Sequence, residues 1–493
     1  MDPRTPVVVG VGQVTNRRAR IVDPLTLMDE AVRIANDDAG GKALTRVRSV
    51  QVLSVVSRRY SSSAGELADR IGMSDVEKLG TTVGGSTPGW LMCMACDRIA
   101  NGELDGVLIA GAEALDSARR AAKEGKALEA AAEPEQKDEV IGDDRPPVNG
   151  AEIRAGVVAP ATLYPMFEQA LAAEAGRSPD EQRKYIGELM AKFTKVAATH
   201  PTLSWFPHER DAAFLSEINP DNRMIAEPYT KNLNSILQVD MSAAVIVLSA
   251  EAAEAAGVPR DQWIFPWAGA KCDDVYLVVE RPEFTKARGI EAAAKAAFAA
   301  AGVGTDDVTF FDFYSCFPSA VQMGASALGV SLDDSRGLTV TGGLPSFGGP
   351  GNNYMTHSIA TMATKLRGND DALGVTTGIS WYMSKHSINI FGTNPPPNGW
   401  RFADTKNDQA RIDSTAMETA SDASGEAVVD AFTVEHDREK GPVRAPIYAT
   451  LADGRRVVAK PADGSTPAAI SGRSIIGERV TVQTGEGGTV YEL

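Results

Sequence analysis

Residues 82–112 read TVGGSTPGWLMCMACDRIANGELDGVLIAGA and decide the fold. Their glycine-rich start, from Gly84 to Gly89, predicts a tight turn. The apolar run from Trp90 to Ala100 predicts a buried helix, and the run from Gly106 to Ala112 predicts a buried strand. A turn, a helix and a strand in this order form one unit of an α/β sheet.

The same order of strands and helices continues toward the N-terminus. Val7 to Val11 and Val50 to Val56 are β-branched runs that predict strands. Asp23-Pro24 opens a predicted helix, and a second helix is predicted near Ala64 to Ile71. Strands that alternate with helices predict a mainly parallel sheet with helices on its faces.

A second α/β series follows in the C-terminal direction. The run Ala243 to Ser249 resumes the first sheet as a buried strand. Beyond it, we predict strands at Trp263 to Ala268 and Val308 to Phe313, and helices at Ile290 to Ala301, Pro318 to Leu328 and His357 to Lys365. Two successive series indicate two duplicated α/β halves, although few residues are identical between them.

Two other regions interrupt or follow the halves. Residues 118–235 contain mainly helical patterns and predict an inserted helical domain, whereas residues 425–493 alternate in strand fashion and predict a small antiparallel β-barrel. The predicted domains are 1–117 with 236–262, the insertion 118–235, the second half 263–400, a polar linker 401–424 and the barrel 425–493.

The charge of the chain excludes some classes of partner. With 49 Lys and Arg against 65 Asp and Glu, the net charge of −16 repels nucleic acid and anionic lipid surfaces. The N-terminus lacks the apolar segment and cleavage site of a signal peptide. We therefore expect a cytoplasmic protein that binds neither nucleic acid nor membranes.

The spacing of Cys93 and Cys96 is that of a C-x-x-C redox or metal motif. Both residues lie inside the apolar helical run, and no second pair of ligands with suitable spacing is present. We therefore interpret them as buried helix residues and predict no metal site.

Four segments carry a resemblance to a known family. They are RTPVVVGVGQV at 4–14, NRMIAEPYTKNLNSILQVDMSAAVIVLS at 222–249, FFDFYSCFPSA at 310–320 and TGGLPSFGGPGNN at 341–353. In order and spacing they resemble the thiolase superfamily, especially the branch of the sterol-carrier-protein thiolases and the thiolase-like proteins of type 1 that carry an added β-barrel. The resemblance covers about residues 5 to 395 and implies a five-layered αβαβα thiolase fold, with a helical loop-domain insertion and an OB-like C-terminal barrel.

The position of the family's nucleophilic cysteine is occupied by Gly85 in this sequence. A thiolase keeps that cysteine at the N-terminus of a buried helix, which lowers the pKa of the thiol. The adjacent Ser86 is a candidate substitute nucleophile, although a hydroxyl needs a base beside it. The alternative is that Ser86 caps the helix. Gly84 and Gly85 are expected to face the ligand.

The other family motifs also depart from the thiolase pattern. The motif that binds the thioester oxygen resembles Tyr314-Ser315-Cys316-Phe317, so the Tyr314 hydroxyl is a candidate donor to an oxyanion. The alternative is a buried tyrosine with a satisfied hydroxyl. The Gly-His-Pro motif matches Gly348-Gly349-Pro350, which replaces the catalytic histidine by Gly349. His357 follows on the next helix and is a further candidate catalytic residue, although its side chain could point elsewhere.

The last motif, Cys-x-Gly, aligns with the segment Thr377 to Ser380 and again lacks its cysteine. Gly378 and the glycines Gly348 and Gly349 are expected to face the ligand. Just beyond this segment, His386 is a candidate acid or base, with a structural histidine as the alternative.

The resemblance implies a protein that binds coenzyme A or an acyl-CoA as ligand or substrate. Loss of a nucleophile typically lowers kcat by a factor on the order of 10⁶, so we expect weak or absent thiolase activity despite an acyltransferase ancestry. Two alternatives stay open: a retro-aldolase that acts on a β-hydroxyacyl-CoA, using Tyr314, and a non-catalytic acyl-CoA carrier or scaffold. Family members imply a homodimer, but a monomer is equally compatible with the sequence.

Overall fold

The computed structural model describes residues 1–126 and 137–493. Its first α/β half is built by the alternating strands and helices expected from the sequence. These are β1 (Pro6–Thr15), α1 (Pro24–Asp38), β2 (Ser49–Val52), α2 (Ser63–Arg70), β3 (Glu77–Thr81), α3 (Thr87–Ala100), β4 (Gly106–Ala114) and α4 (Leu115–Lys123).

The insertion leaves this half after α4 and returns to it as a long central strand. It comprises β5 (Glu139–Ile141), α5 (Gly150–Ala155), α6 (Pro160–Glu174), α7 (Pro179–Ala198), α8 (Ala212–Ser216), β6 (Met224–Ala226) and β7 (Tyr229–Thr230). The chain then forms β8 (Asp240–Ser249) and α9 (Ala250–Ala256). The insertion is mainly helical as predicted, with three short strands that its polar sequence did not indicate.

The second half begins at β9 (Phe265–Asp273). Its other elements are α10 (Arg288–Ala301), β10 (Phe310–Asp312), α11 (Pro318–Ala327), α12 (Tyr354–Leu366), β11 (Leu373–Ser380), β12 (Lys385–Gly392), β13 (Arg401–Phe402) and α13 (Lys406–Asp413). Helix α13 lies in the segment predicted as a linker and packs on α10 through the buried side chain of Ile412.

The first sheet has the order β1-β8-β4-β2-β3-β5. Strand β8 runs antiparallel to both β1 and β4, whereas β4, β2, β3 and β5 are parallel. The sheet is therefore mixed, and our expectation of a mainly parallel sheet was only partly correct. The long insertion explains the difference, because it returns the chain to the end of the sheet at which β4 leaves it, where Ala114 pairs with Asp240.

The second sheet has the order β10-β11-β12-β9-β13, and β11, β12 and β9 are antiparallel neighbours. Helices α3 and α12 lie between the two sheets and contact both. Helix α3 is apolar on almost all sides, which suits a helix covered on both faces. With α1 and α2 outside the first sheet and α10 and α11 outside the second, the five-layered αβαβα fold is confirmed.

The C-terminal region forms a closed barrel of five strands in the order β14-β17-β18-β20-β19. Its elements are β14 (Ser424–Phe432), β15 (Glu435–Asp437), β16 (Gly441–Arg444), β17 (Ile447–Leu451), β18 (Arg456–Pro461), α14 (Thr466–Ile470), β19 (Arg479–Gly485) and β20 (Gly488–Glu492). The predicted OB-like barrel is thus confirmed, and it encloses a hydrophobic core of its own.

The barrel is tied to the insertion by buried polar contacts. Strand β15 pairs with β6, and the Glu227 carboxylate beside this pair accepts from the Ser471 hydroxyl at 2.5 Å and the Gly472 amide at 3.0 Å. His436 Nε2 lies 2.9 Å from the same carboxylate. In the described part of the chain, no helix has the length and apolar character needed to cross a membrane.

Candidate functional site

The turn before α3 lies where the two halves meet. Gly84 donates its backbone N–H to Asn352 Oδ1 at 2.8 Å, which ties the turn to the segment before α12. A Cβ at Gly378 on β11 would lie 2.9 Å from Cα of Ser86, so the absence of a side chain there lets β11 approach the turn. The N-terminus of α3 is therefore enclosed by the second half.

Gly85 has no room for any side chain. A Cβ at this position would overlap the hydroxyl of Tyr314 and lie 2.5 Å from the carbonyl oxygen of Ile379. Real Cβ contacts are never this short against backbone atoms. The tyrosine hydroxyl thus occupies the space that a side chain at position 85 would need.

Tyr314 follows β10 and is held from two sides. Its backbone N–H donates to Thr377 Oγ1 at 2.9 Å, and its ring meets the Tyr354 ring edge to face at a centroid distance of 5.3 Å. The side chain is 7% exposed, and burial, reinforced by the nearby Cys316, raises the pKa of the hydroxyl. No residue in the described ranges hydrogen-bonds this hydroxyl, so the protein partner that the alternative of a satisfied tyrosine requires is not found among these residues. A protonated hydroxyl can donate to an oxyanion but cannot serve as a base near neutral pH.

Ser86 is paired with a second serine. Its Oγ lies 2.6 Å from Ser380 Oγ, and its backbone N–H donates to the same atom at 2.9 Å. Ser86 stands at the N-cap position of α3, but its side chain makes no capping hydrogen bond, so the capping alternative is wrong. A hydroxyl that contacts another hydroxyl rather than an imidazole or amine is not activated as a nucleophile.

Gly348 and Gly349 lie on the side of the site toward the insertion. Gly348 has a φ of 125°, which favours glycine. The Gly349 N–H donates to the Ile236 carbonyl at 2.9 Å, and a Cβ at Gly349 would collide with Ser235 Oγ. Because its amide is engaged and its side-chain space is filled, Gly349 neither offers a free donor nor leaves a gap where the family histidine would stand.

The two candidate histidines occupy different buried environments. His357 on α12 is fully buried, its Nδ1 lies 2.8 Å from Gln13 Oε1, and burial lowers its pKa to about 3. It is therefore neutral near pH 7. His386 on β12 is 1% exposed, with its Nε2 2.9 Å from the Met383 carbonyl and 3.7 Å from Asp274 Oδ2. Neither imidazole hydrogen-bonds Ser86.

A cavity of about 430 Å³ opens beside Ser86. His386 and Ser86 both line it, together with Trp90, Arg145, Lys271 and Lys385. Tyr314, Gly349 and His357 do not line this cavity. The structure therefore brings two of the four candidate catalytic residues to one cavity, and places Tyr314 against Gly85.

The sequence analysis missed Arg281, which shapes the turn after β11. The guanidinium is 2% exposed and donates to the Tyr382 carbonyl at 2.9 Å and the Met383 carbonyl at 3.2 Å. Trp381 and Met383 in this turn have φ values of 55° and 57°, which non-glycine residues rarely adopt. Such backbone persists only where its surroundings hold it. The feature of the sequence that could have indicated this role is the position of Arg281 directly after the mainly apolar run VYLVVE.

Ser380 and Asn352 were also missed, although both lie in or next to segments that carried the resemblance. Their roles depend on contacts with the turn before α3, which is far away in sequence. The cysteines of the C-x-x-C pair are fully buried and form no disulfide, and both lie inside α3 as predicted. No group of three or more His, Cys, Asp or Glu that could hold a metal ion occurs within residues 1–126 and 137–493.

Comparison with known structures places the chain in a family. It is similar over 100% of its length, at 30% identity and a TM-score of 0.86, to the whole chain of a monomeric SCP2-thiolase like protein type 1 (STLP1) from Mycobacterium smegmatis. The chain belongs to the SCP2-thiolase-like protein type 1 family. Residues 409–487 of this family member also match the model of the thiolase-like protein type 1 additional C-terminal domain.

Two more distant structures share the fold of this SCP2-thiolase-like protein. The match to the Ltp2-ChsH2(DUF35) aldolase covers 79% of this chain and 98% of the aldolase chain, at 19% identity and a TM-score of 0.61. The dimeric peroxisomal thiolase of Saccharomyces cerevisiae matches 80% of the chain and 98% of its own at 15% identity and a TM-score of 0.57. None of the curated proteins compared with it matches the chain.

Proposed function

We propose that the protein binds a coenzyme A thioester between its two α/β halves and does not catalyse thiolysis or Claisen condensation. The observation that carries this proposal is the contact between Gly85 and the Tyr314 hydroxyl, which leaves no space for a nucleophilic side chain at position 85, just before α3. The five-layered fold supports a thioester ligand, because it is shared with a thiolase.

None of the neighbouring groups replaces the missing nucleophile and base. Cys93 lies inside α3, is fully buried, and has its pKa raised to about 12 by burial, so its thiol stays protonated. Ser86 contacts a serine, and the neutral His357 contacts Gln13. Without a nucleophile, we expect kcat for thiolysis to lie about 10⁵-fold or more below that of an ordinary thiolase.

Two measurements on the purified protein test this proposal. Calorimetric titration with CoA and acetoacetyl-CoA should show binding at one site per chain. A spectrophotometric assay of acetoacetyl-CoA cleavage should show no turnover above background, with an active thiolase as the positive control. Thiolysis at an ordinary enzymatic rate would overturn the proposal, and so would the absence of CoA binding.

A second candidate function is retro-aldol cleavage of a β-hydroxyacyl-CoA. The Tyr314 hydroxyl favours it, because it is protonated, free of a hydrogen-bond partner among the described residues, and placed beside Gly85. Such a donor can stabilise the enolate oxygen that forms when the bond between Cα and Cβ breaks. The proton of the β-hydroxyl passes to water as that group becomes a carbonyl, and the enolate then takes a proton from water at Cα, which gives the shortened acyl-CoA. The likeness in fold to an aldolase complex is consistent with this chemistry.

The aldolase candidate predicts a carbonyl product from a β-hydroxyacyl-CoA. Tyr314→Phe should abolish that activity and leave CoA binding unchanged. Tyr185→Phe, on α7 under the guanidinium of Arg177, is the matched control and should retain activity. Turnover by Tyr314→Phe at the wild-type rate would remove Tyr314 from the mechanism. If neither substrate turns over while CoA binds, the protein acts as an acyl-CoA carrier.

We also propose that the protein is a monomer. Strand β5 at the edge of the first sheet is only three residues long, so this edge offers little backbone for pairing with a second chain. The similar protein from Mycobacterium smegmatis is described as monomeric. Light scattering after size exclusion should give one chain's mass of 52.1 kDa, and twice that mass would contradict the proposal.

A further inference from the structure

The cavity beside Ser86 is built from four separate segments of the chain. The start of α3 contributes Trp90, β9 contributes Lys271, the start of β12 contributes Lys385, and the segment after β5 contributes Arg145. Its volume of about 430 Å³ falls in the range of small-molecule sites. Because neither Gly85 nor Tyr314 lines it, an inference about this cavity does not depend on the proposed thioester site.

The charges in the cavity do not cancel. The Arg145 guanidinium pairs with Asp143 at 2.6 Å and with Asp273 at 2.9 Å, so its charge is already matched. Lys271 and Lys385 have no carboxylate within 4 Å among the ion pairs of the described residues. Three cations and two carboxylates leave an excess of one positive charge in a chain whose total is −16.

The surroundings of Lys385 make this excess unfavourable without a ligand. Its Nζ donates to the Asp143 carbonyl at 2.9 Å, and burial lowers its pKa, an effect that the charges of Asp143 and Asp273 oppose and those of Arg145 and Lys271 reinforce. A bound anion would offset the effects that lower the pKa. The cavity wall also contains the His386 imidazole, which is 1% exposed and whose Nδ1 has no partner among the described residues.

We propose that this cavity binds a small phosphate ester. The guanidinium of Arg145 is already engaged by two aspartates, whereas the ammonium groups of Lys271 and Lys385 lack a carboxylate partner among the described residues and can each donate to a separate oxygen of a phosphate, which has more oxygens and more negative charge than a carboxylate. Lys271 Nζ lies over the ring of Trp90, 5.0 Å from its centroid, so a phosphate bound to Lys271 has the apolar indole beside it for the organic part of the ligand. The phosphate therefore lies between Lys271 and Lys385, with the ester group toward Trp90.

Calorimetric titration of the full chain with phenyl phosphate tests this site, with benzoate and phenol as comparison ligands. Phenyl phosphate should bind one to one with a Kd below about 1 mM, more tightly than benzoate, and phenol should not bind. Lys271→Met and Lys385→Met should each weaken binding by about tenfold or more. Lys184 is an exposed lysine on α7, so Lys184→Met removes the same charge outside the cavity and should leave binding unchanged.

Competition identifies the source of the phosphate. If CoA displaces phenyl phosphate, the site binds a phosphate group of CoA. If phenyl phosphate still binds at saturating CoA, the site binds a separate phosphorylated ligand. Lys271 is exposed, so its substitution should leave the fold intact even if Lys385→Met does not fold. The proposal is overturned if phenyl phosphate does not bind, if benzoate binds equally well, or if Lys271→Met binds as tightly as the wild type.

Discussion

The hydroxyl of Tyr314 fills the space that a side chain at Gly85 would need. The two residues come from different halves of the molecule, and the contact between them closes the N-terminus of α3. The tyrosine therefore leaves no gap at position 85 that another side chain could enter. A single substitution cannot restore a thiolase-like nucleophile to this position.

Gly85→Cys is expected to destabilise the protein and to remain inactive in thiolysis. The added side chain must displace Tyr314 or the Ile379 carbonyl, and such overpacking typically costs about 1–3 kcal/mol. Urea denaturation measures the loss. Gly464→Cys is the matched control, since a Cβ there meets no atom within 4 Å.

The double variant Gly85→Cys with Tyr314→Phe tests the cause of that loss. Removing the hydroxyl should recover part of the stability, with a coupling energy of about 1 kcal/mol in a double-mutant cycle. Strictly additive effects would show that the hydroxyl is not what excludes a side chain from position 85.

Sequence patterns predicted the elements of the fold but not the contacts between distant segments. The turn before α3, the apolar helix and the barrel each follow from a local pattern of glycine, apolar or alternating residues. The contact of Ser86 with Ser380 and the contact of Tyr314 with Gly85 depend on how the two halves pack. No local pattern in the sequence indicates which residues of the two halves meet. The direction of β8 was missed for the same reason.

Arg281→Met should destabilise the protein strongly. The guanidinium satisfies the Tyr382 and Met383 carbonyls of the turn after β11, so its loss leaves these buried acceptors without that donor. Leaving a buried acceptor unsatisfied typically costs about 1–3 kcal/mol for each group. Arg288→Met is the control, because this half-exposed arginine pairs only with Glu283 and should cost less than about 1 kcal/mol. Similar losses for both variants in urea denaturation would contradict the role given to Arg281.

His357 should make the protein less stable in mild acid. Its pKa falls from 6.5 to about 3 on folding, so between these values the unfolded chain binds a proton that the folded chain does not. Above pH 6.5 this difference in proton binding has no effect on stability, and as the pH falls from 6.5 toward 3 it lowers the free energy of unfolding by an increasing amount. At pH 5 it amounts to about 2 kcal/mol relative to pH 7.

Denaturation of His357→Gln at pH 7 and pH 5 measures that contribution. Between pH 7 and pH 5, the free energy of unfolding of this variant should fall by about 2 kcal/mol less than that of the wild type. His208→Gln, at an exposed position, should follow the wild type. An unchanged pH dependence in His357→Gln would show that another group titrates.

Tyr448→Phe should weaken the junction between the barrel and the rest of the protein. The Tyr448 hydroxyl on β17 donates to Glu152 Oε1 at 2.7 Å, and the same oxygen accepts from the Val279 amide at 3.2 Å. Glu152 is fully buried and burial raises its pKa, so loss of the tyrosine donor leaves a carboxyl group that water cannot reach. We expect the free energy of unfolding to fall by about 2–3 kcal/mol.

Tyr491→Phe is the control, since the buried Tyr491 hydroxyl donates at 2.9 Å to the neutral Ala445 carbonyl within the barrel. Removing this hydroxyl should cost about 1 kcal/mol. Equal losses for the two variants in urea denaturation would mean that the carboxyl group at the junction does not depend on Tyr448.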